Sequence, residues 1–504
     1  MAEPDTTEAT AESATDESME TTSSDADSDS HAVSNSETSD IIQDASFPTL
    51  IEPNGYSAST CGYCSTGNRD TSPRSSRSYG MTSVQMAPRI YQDLIDRGWR
   101  RSGTYVYHPD MANTCCPQYT IRLDALQFDP GKDKKMRYLI NRWKRYIVEG
   151  VKPGETIATE EKIEGKEKGG KKNRNKQSKT QGYDYIQELR SAEYDQATAT
   201  GVQPALRYEV MLVPAAVTQE RFALYKRYQE TIHHDRPGKN HISGFNRFLC
   251  KNPLGRQRIP YPNPKDVPSI LPRHFGCFHQ LHRVDGRLVA FSVLDILPGC
   301  VSSVYFVWDP DFAWASLGKL SALREAALAR EFYNAGMTGM SWLYMGYYIR
   351  TCQKMRYKGD YSPSQLLDPG TNTFYPLQDA VKVIDKRPRG YTPLDTNPDT
   401  LQIPGSLEDP EIAANEKSER WPRRETLEVW PDPPPPSFMD PHRIPVDYLE
   451  KLLVFVKGSL SLLKFIPFMN RTAVHKIVAE LVAALGTGRL ATLDEPETEV
   501  YLAL

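Results

Sequence analysis

The sequence predicts an α+β fold arranged in two domains. Three observations carry that reading. A three-stranded meander, an apolar-striped helix and a further strand succeed one another between residues 275 and 349. A second stretch with periodic apolar positions, 47–150, is separated from it by a Lys-rich segment at 160–180. Ahead of both lies an N-terminal stretch with almost no large apolar residue.

In chain order, residues 1–45 are built from Ser, Thr, Asp, Glu and Ala. Too little apolar surface could be buried there to offset the ordering entropy, so the tail is predicted disordered. It contains 13 acidic and no basic residues, leaving 51 acidic against 61 basic side chains in the rest of the chain. The formal net charge of −3 therefore hides a basic body. No run of eighteen apolar residues occurs, and the first thirty residues have neither a basic start nor an apolar stretch. That pattern argues against a membrane span and a secretory signal, and the protein is expected to be cytoplasmic, with the nucleus as a second compartment.

In the first globular stretch, Pro88 opens a helix with Tyr91, Leu94 and Ile95 on one face and an end near Gly98. Strands are expected at 104–107 and 118–125. A helix at 132–148 places Met136, Leu139, Ile140, Trp143 and Ile147 inward and a row of Lys and Arg outward. In the second stretch, strands at 275–283 and 288–297 join through Asp285-Gly286, a strong two-residue hairpin signal. A third strand at 301–308 follows Pro298-Gly299; then come a helix at 316–333 and a strand at 341–349. Meander, helix and strand in that order match an acetyltransferase-like (GNAT) core. Near the C-terminus, 446–465 and 473–485 read as amphipathic helices. The expected division is a disordered acidic tail (1–46), a Cys-containing N-terminal domain (47–150), a basic linker (151–200), a GNAT-like domain (201–383), a Pro-rich linker (384–440) and a helical extension (441–504).

Several residues carry chemistry. Cys61 and Cys64 form a C-x-x-C, followed some fifty residues later by Cys115 and Cys116; iron-sulfur, zinc and plain burial compete for them. Neighbouring cysteines on an extended segment point apart, so both reach one centre only if the backbone turns there. Asp295 sits in the alternating set Val289, Phe291, Val293, Asp295, Leu297. It therefore places a carboxylate on a side expected to be buried, where it serves either as an internal ion-pair or turn-capping residue near the strand end or as a ligand for a cationic substrate group. If 354–358 is extended, Lys354, Arg356 and Lys358 share one face, a candidate anion site beside Tyr347, Tyr348 and Tyr357. With the basic helix at 132–148, this makes a polyanion such as RNA a credible partner. No P-loop, G-x-S-x-G elbow or H-E-x-x-H helix occurs, and no signature supports sequence-specific DNA binding.

The motifs Cys61-Gly62-Tyr63-Cys64, the run from Tyr91 to Gly103, and Cys115-Cys116-Pro117-Gln118-Tyr119 resemble the arginyl-tRNA protein transferase family. So do Leu294-Asp295-Ile296-Leu297-Pro298, Ser302-Ser303-Val304-Tyr305-Phe306, Ser316-Leu317-Gly318-Lys319 and Lys354-Met355-Arg356-Tyr357-Lys358-Gly359. The resemblance spans about residues 56–376. Departures are Cys277 in place of a small hydroxyl residue, Arg350 and Gln353 flanking Cys352, and a divergent 66–82.

The resemblance implies transfer of arginine from arginyl-tRNA to the N-terminal α-amine of proteins beginning with Asp, Glu or oxidised Cys. That would mark them for ubiquitin-dependent degradation, with a ubiquitin ligase of the N-degron pathway downstream. It implies a redox-sensitive iron-sulfur cluster on Cys61, Cys64, Cys115 and Cys116, with zinc as the alternative, and no nucleotide cofactor. Within that frame, Asp295 is expected to orient a cationic substrate group, with Gln280 and Tyr305 as polar groups in the catalytic cleft. Arg100, Arg101, Lys134, Lys135, Arg142, Arg145, Lys354, Arg356 and Lys358 are expected to bind substrate and tRNA. Two other readings stand beside it: an acyl-coenzyme A-dependent acyltransferase, and a non-catalytic RNA- or degron-binding adaptor. The first would need a Gly-rich pyrophosphate turn at 309–316, which holds two aspartates and no glycine.

Overall fold

β-Branched and aromatic runs alternate along the chain with helices striped on one face, and two mixed sheets result. The computed structural model describes residues 47–63, 75–153, 183–395, 430–467, 471–495 and 498–503. The acidic tail, the Lys-rich stretch at 160–180 and Cys64 lie outside the described residues.

The first region forms β1 (Thr49–Ser59), β2 (Ser76–Gln85), α1 (Pro88–Asp96), β3 (Arg100–Ser102), β4 (Tyr105–Pro109), β5 (Tyr119–Asp124) and α2 (Lys134–Glu149). The start and stop of α2 are local chemistry: the Asp133 carboxylate accepts from the Lys135 N–H, and Gly150 ends the helix at φ 73°. Two short helices follow, α3 (Tyr185–Arg190) and α4 (Tyr194–Ala199). The later part of the segment expected as linker is therefore folded. Tyr185 and Leu189 are buried, and Lys144 of α2 donates to Glu188 at 3.0 Å.

Next come β6 (Tyr208–Pro214), α5 (Gln219–Ile232), α6 (Ile242–Phe245), β7 (Gly276–Val284), β8 (Arg287–Ile296), β9 (Cys300–Trp308), α7 (Leu317–Asn334), β10 (Trp342–Tyr348), α8 (Gln353–Arg356), β11 (Ser364–Asp368), β12 (Thr373–Pro376) and α9 (Leu377–Ile384). The β7–β8 turn forms at Asp285 and Gly286, both with positive φ, as a two-residue hairpin turn of this twist requires. The chain closes with a short helix Val446–Glu450, β13 (Leu453–Val456), β14 (Ser459–Leu462), a helix Arg471–Leu485 and β15 (Val500–Ala503). The continuous helix expected at 446–465 is thus one helical turn followed by a hairpin. Leu453-Val454-Phe455-Val456 is a strand-forming run, and Lys457 and Gly458 take positive φ at the turn.

The sheets do not follow chain order. The first has seven strands, β14-β13-β15-β1-β2-β4-β3, so the C-terminal segment completes the N-terminal sheet through parallel pairing of β15 with β1. The second has eight, β12-β11-β5-β10-β9-β8-β7-β6, with β5 from the first region inserted between β11 and β10. Trp430 and Phe438 stack on each other, and Phe438 stacks on Trp99, so the end of the segment expected as a Pro-rich linker (384–440) is packed into the core. Opposite faces of the second sheet are covered differently. On β8, Phe291 packs edge-on against Phe245 of α6, while its neighbour Ser292 points the other way and donates to Glu325 of α7. Among the described residues, no helix is long and apolar enough to cross a membrane.

Candidate active-site cleft and cysteine centre

β9 and β10 are joined by α7, the parallel crossover that a β-α-β unit builds. They pair only at Cys300–Trp342, Val301–Leu343 and Ser302–Tyr344. Beyond that point the strands part. The pairing of β10 with β5 breaks over the same residues, between Tyr344 and Tyr347, and Gly346 there takes φ 67°. A Cβ at Gly346 would lie 3.8 Å from Lys358 Nζ, so the bulge also brings the lysine close to the strand.

The gap is a cavity of about 110 Å³ lined by Ser303, Tyr305, Phe306, Glu325, Met345, Lys354, Lys358 and the rings of Tyr228, Trp308, Tyr357 and Tyr361. On its α7 side, Glu325 Oε1 accepts from Ser292 Oγ at 2.9 Å and Ser321 Oγ at 2.6 Å. Burial pushes the Glu325 carboxyl above its ordinary range; the hydroxyls of Ser321, Ser303 and Ser292 partly counter this. On the α8 side, Lys358 Nζ donates to Tyr347 O at 3.1 Å. Burial, with Arg100 nearby, lowers its pKa to about 7. Lys319 stands exposed on α7 and Lys354 exposed on α8.

The cluster at 354–358 is not extended as expected. It is a helical turn, α8, running into a 3-10 turn at Tyr357–Asp360. A strand would put Lys354, Arg356 and Lys358 on one face; the helical turn sends Lys354 and Lys358, four residues apart, to the cleft.

Asp295 is fully buried and ion-paired with Arg101, whose side chain is 2% exposed. Arg101 Nε reaches Asp295 Oδ2 at 2.8 Å, a second guanidinium nitrogen reaches Oδ1, and that same nitrogen donates to Cys277 Sγ at 3.1 Å. The internal ion pair, one of the two readings of this carboxylate, is the one present. Arg100 is also interior. It donates to Ile95 O and Trp99 O and lies 5.3 Å from the centre of the Tyr347 ring. Neither arginine offers a surface to substrate or tRNA. Gln280 is buried on the α7 face, and among the described residues its Oε1 has no hydrogen-bond partner. Tyr305 does line the cleft, its hydroxyl accepting from Gln229 Nε2 at 2.9 Å. Lys134, Lys135 and Arg145 are exposed on α2, whereas Arg142 is half-buried and donates to Ser316 Oγ at 3.0 Å, next to the start of α7.

The sulfur atoms of Cys61, Cys115 and Cys116 lie within 4.8 Å of one another, close enough to hold a metal ion. The chain bends at Cys115 and Cys116, which is what lets adjacent thiols converge. Ser75 organises both halves, its Oγ accepting from Cys61 N at 2.9 Å and its carbonyl from Cys115 N at 3.0 Å. Tyr347, Ile349, Cys352 and Met355 pack around Cys61 and Cys116. Met355, in the same buried cluster as the thiols, also lines the cleft.

Two family models match the chain: the N terminus of arginine-tRNA-protein transferase over residues 59–136 and its C terminus over 220–368. An arginyl-tRNA–protein transferase 1 of Drosophila melanogaster is 31% identical, the match covering 66% of this chain and 83% of that one. The chain belongs to the arginine-tRNA-protein transferase family. An arginyl-tRNA–protein transferase 2 of Arabidopsis thaliana is 29% identical over 68% of this chain and 77% of its own. An aspartate/glutamate leucyltransferase of Pseudomonas fluorescens is 27% identical over 56% and 83%. Among solved structures, that of L-PGS from Bacillus licheniformis matches 46% of this chain and 47% of that one, at 9% identity and a TM-score of 0.20, too low to carry an argument. Both matched parts of this family member contribute to what is described above: Cys61, Cys115 and Cys116 fall in the first, and β9, α7 and β10 in the second.

Sequence reasoning missed Glu325. The available signal was a Ser321–Glu325 pair at i, i+4 within the stripe running from Leu317 to Leu328, a polar pair on a buried helix face.

Proposed function

We propose that the cleft between β9 and β10 transfers arginine from arginyl-tRNA to the N-terminal α-amine of proteins beginning with Asp, Glu or oxidised Cys, and that the product is an N-degron read by a ubiquitin ligase. Family membership supports the reaction. The observation that carries its location is the parting of two parallel strands into an aromatic cavity with an acid at one side and lysines at the other. The order meander, crossover helix, parallel strand also supports a GNAT-like core.

The reaction is aminolysis of an activated ester and needs no nucleotide. An α-amine has a pKa of about 7.7–8, so exposing its neutral form near pH 7 costs about 1 kcal/mol. No strong base is required. Acceleration then comes from holding the amine against the ester carbonyl in a site that excludes water. In this reading Lys358 and Lys354 attract the acidic side chain of the acceptor, and Tyr305 is a polar wall of the same cavity. Asp295 fixes Arg101 and so ties β3 to the second sheet, a positioning role rather than a substrate contact. The exposed lysines of α2, continued by Arg142 of the same helix, which reaches Ser316 beside the start of α7, and by Lys319, form a basic path to the cleft mouth suited to the tRNA backbone. Where an acyl-coenzyme A enzyme would need a phosphate cradle, Asp309 and Asp311 instead hold Arg227 and Arg287.

The three converged thiols are a soft donor set that suits an iron-sulfur cluster or zinc. We favour the cluster, which would supply a redox-responsive centre beside Met355. Anaerobically purified protein is then brown, with visible absorption that Cys61→Ser abolishes; colourless protein holding stoichiometric zinc rejects the cluster.

The activity itself is tested by incubating labelled arginyl-tRNA with peptides that differ only in an N-terminal Asp or Ala. Label is expected on the Asp peptide, and incorporation into neither would refute the transferase reading.

A further inference from the structure

Among the described residues, several buried carboxylates have a cation of their own, and Glu325, which faces the cleft, has none. Asp295 has Arg101, Asp309 has Arg227 and Arg287, and Glu193 and Glu331 share Arg324. Asp110 and Asp368 accept from tyrosine hydroxyls and backbone N–H groups in turns. Glu480, in the helix Arg471–Leu485, has no ion pair among the described residues but faces no described cavity. Glu325 is 2% exposed, forms no ion pair among the described residues and lines the cleft. Its hydrogen-bond partners are serine hydroxyls, which orient a carboxylate without cancelling its charge.

We propose that Glu325 selects the transferred amino acid, its carboxylate pairing with the guanidinium of the arginyl group as that group enters the cleft between Tyr305, Trp308 and Tyr357. This rests on the transferase reading above. Three physical points favour a guanidinium as occupant. A guanidinium is planar and weakly hydrated, matches a carboxylate with paired N–H donors and stacks on aromatic faces. It also keeps its charge at any working pH, so a buried acid beside it has a permanent partner. The acceptor α-amine is the other cation in the reaction, but it must lose its proton to attack. A carboxylate at contact distance would hold that proton in place. The acidic side chain of the acceptor belongs at the opposite, lysine-bearing side. Charge separation across one cavity thus sorts the two substrates.

The test uses the full chain and two non-reactive probes, L-argininamide and L-citrullinamide, which differ in replacing the guanidinium by an uncharged ureido group. Wild-type protein is expected to bind the first roughly tenfold or more tightly than the second by calorimetry, the scale of hydrogen bonds to a charged group. In Glu325→Gln the ratio collapses toward one, and in Glu325→Asp it falls between. Equal binding of both probes by wild type, or an undiminished ratio in folded Glu325→Gln, overturns the inference. If Glu325→Gln does not fold, the wild-type ratio and the Glu325→Asp ratio still decide it. Failure here is distinct from failure of the parent reading. Wild type that labels the Asp peptide while binding both probes equally rejects only the role of Glu325; wild type that labels no peptide rejects the transferase reading.

Discussion

The two faces of the second sheet each hide a carboxylate, and they use it in opposite ways. On the face packed against α5 and the first sheet, Asp295 is locked to Arg101, with Cys277 as a third partner. On the face packed against α7, Glu325 is held by serines beside a cavity. A carboxylate in a buried stripe is therefore not a site by itself. What separates these two acids is that one has a cation supplied by the protein and the other faces a cavity. Asp295 meets a guanidinium 194 residues away in the chain; Glu325 meets none among the described residues.

The comparison breaks most visibly at Asp295. Asp295→Asn leaves the Arg101 charge buried without a counter-ion, and a loss of about 3–5 kcal/mol in unfolding free energy is expected. Urea denaturation reads it. Replacing both partners by apolar residues, Arg101→Met with Asp295→Leu, is expected to recover much of that loss, because neither charge is then stranded. If Asp295→Asn unfolds like wild type, the pair does not hold the sheets together.

A smaller effect separates the two sides of the cleft itself. With its pKa lowered to about 7, Lys358 is charged below that pH and increasingly neutral above it. An acidic acceptor side chain favours the charged form, so the preference for Asp over Asn at the peptide N-terminus should fall as pH rises from 6.5 to 8.5. In Lys358→Met the preference should be weak and nearly flat with pH. A preference that rises with pH in wild type would place acid recognition elsewhere.

The smallest expected effect is on the stability of Glu325→Gln. The substitution keeps the shape and removes a charge whose burial is unfavourable, so unfolding free energy should stay within about 1 kcal/mol of wild type or increase. A large loss would mean that the serine–carboxylate network is itself a structural element, as the Arg101–Asp295 pair is.

What the sequence made legible was local. The stripe of α2, the Asp285-Gly286 turn and the succession β9-α7-β10 each depend on residues within a few positions of one another. The cysteine spacing brought three thiols into view, although only the bend at Cys115 and Cys116 explains how neighbours converge. What escaped was non-local. Nothing near Asp295 announces Arg101, and nothing in β5 announces that it crosses to the other sheet. The hairpin at Leu453–Leu462 was masked by apolar residues dense enough to satisfy a helical period, while Lys457-Gly458 held the opposing signal. Lys354–Lys358 failed for a related reason: alternation over five residues fits a strand and a helical turn equally well.

The two buried acids do different work, and arginine transfer measured beside unfolding separates them. Asp295→Asn and Glu325→Gln should each be assayed with labelled arginyl-tRNA and an Asp-initiated peptide, with urea unfolding on the same preparations. Asp295→Asn is expected to lose stability while its folded fraction still transfers arginine, and Glu325→Gln to keep its stability while kcat/KM for arginyl-tRNA falls by roughly tenfold or more. A stable Glu325→Gln that transfers arginine at the wild-type rate, or an equally stable but inactive Asp295→Asn, would contradict that division.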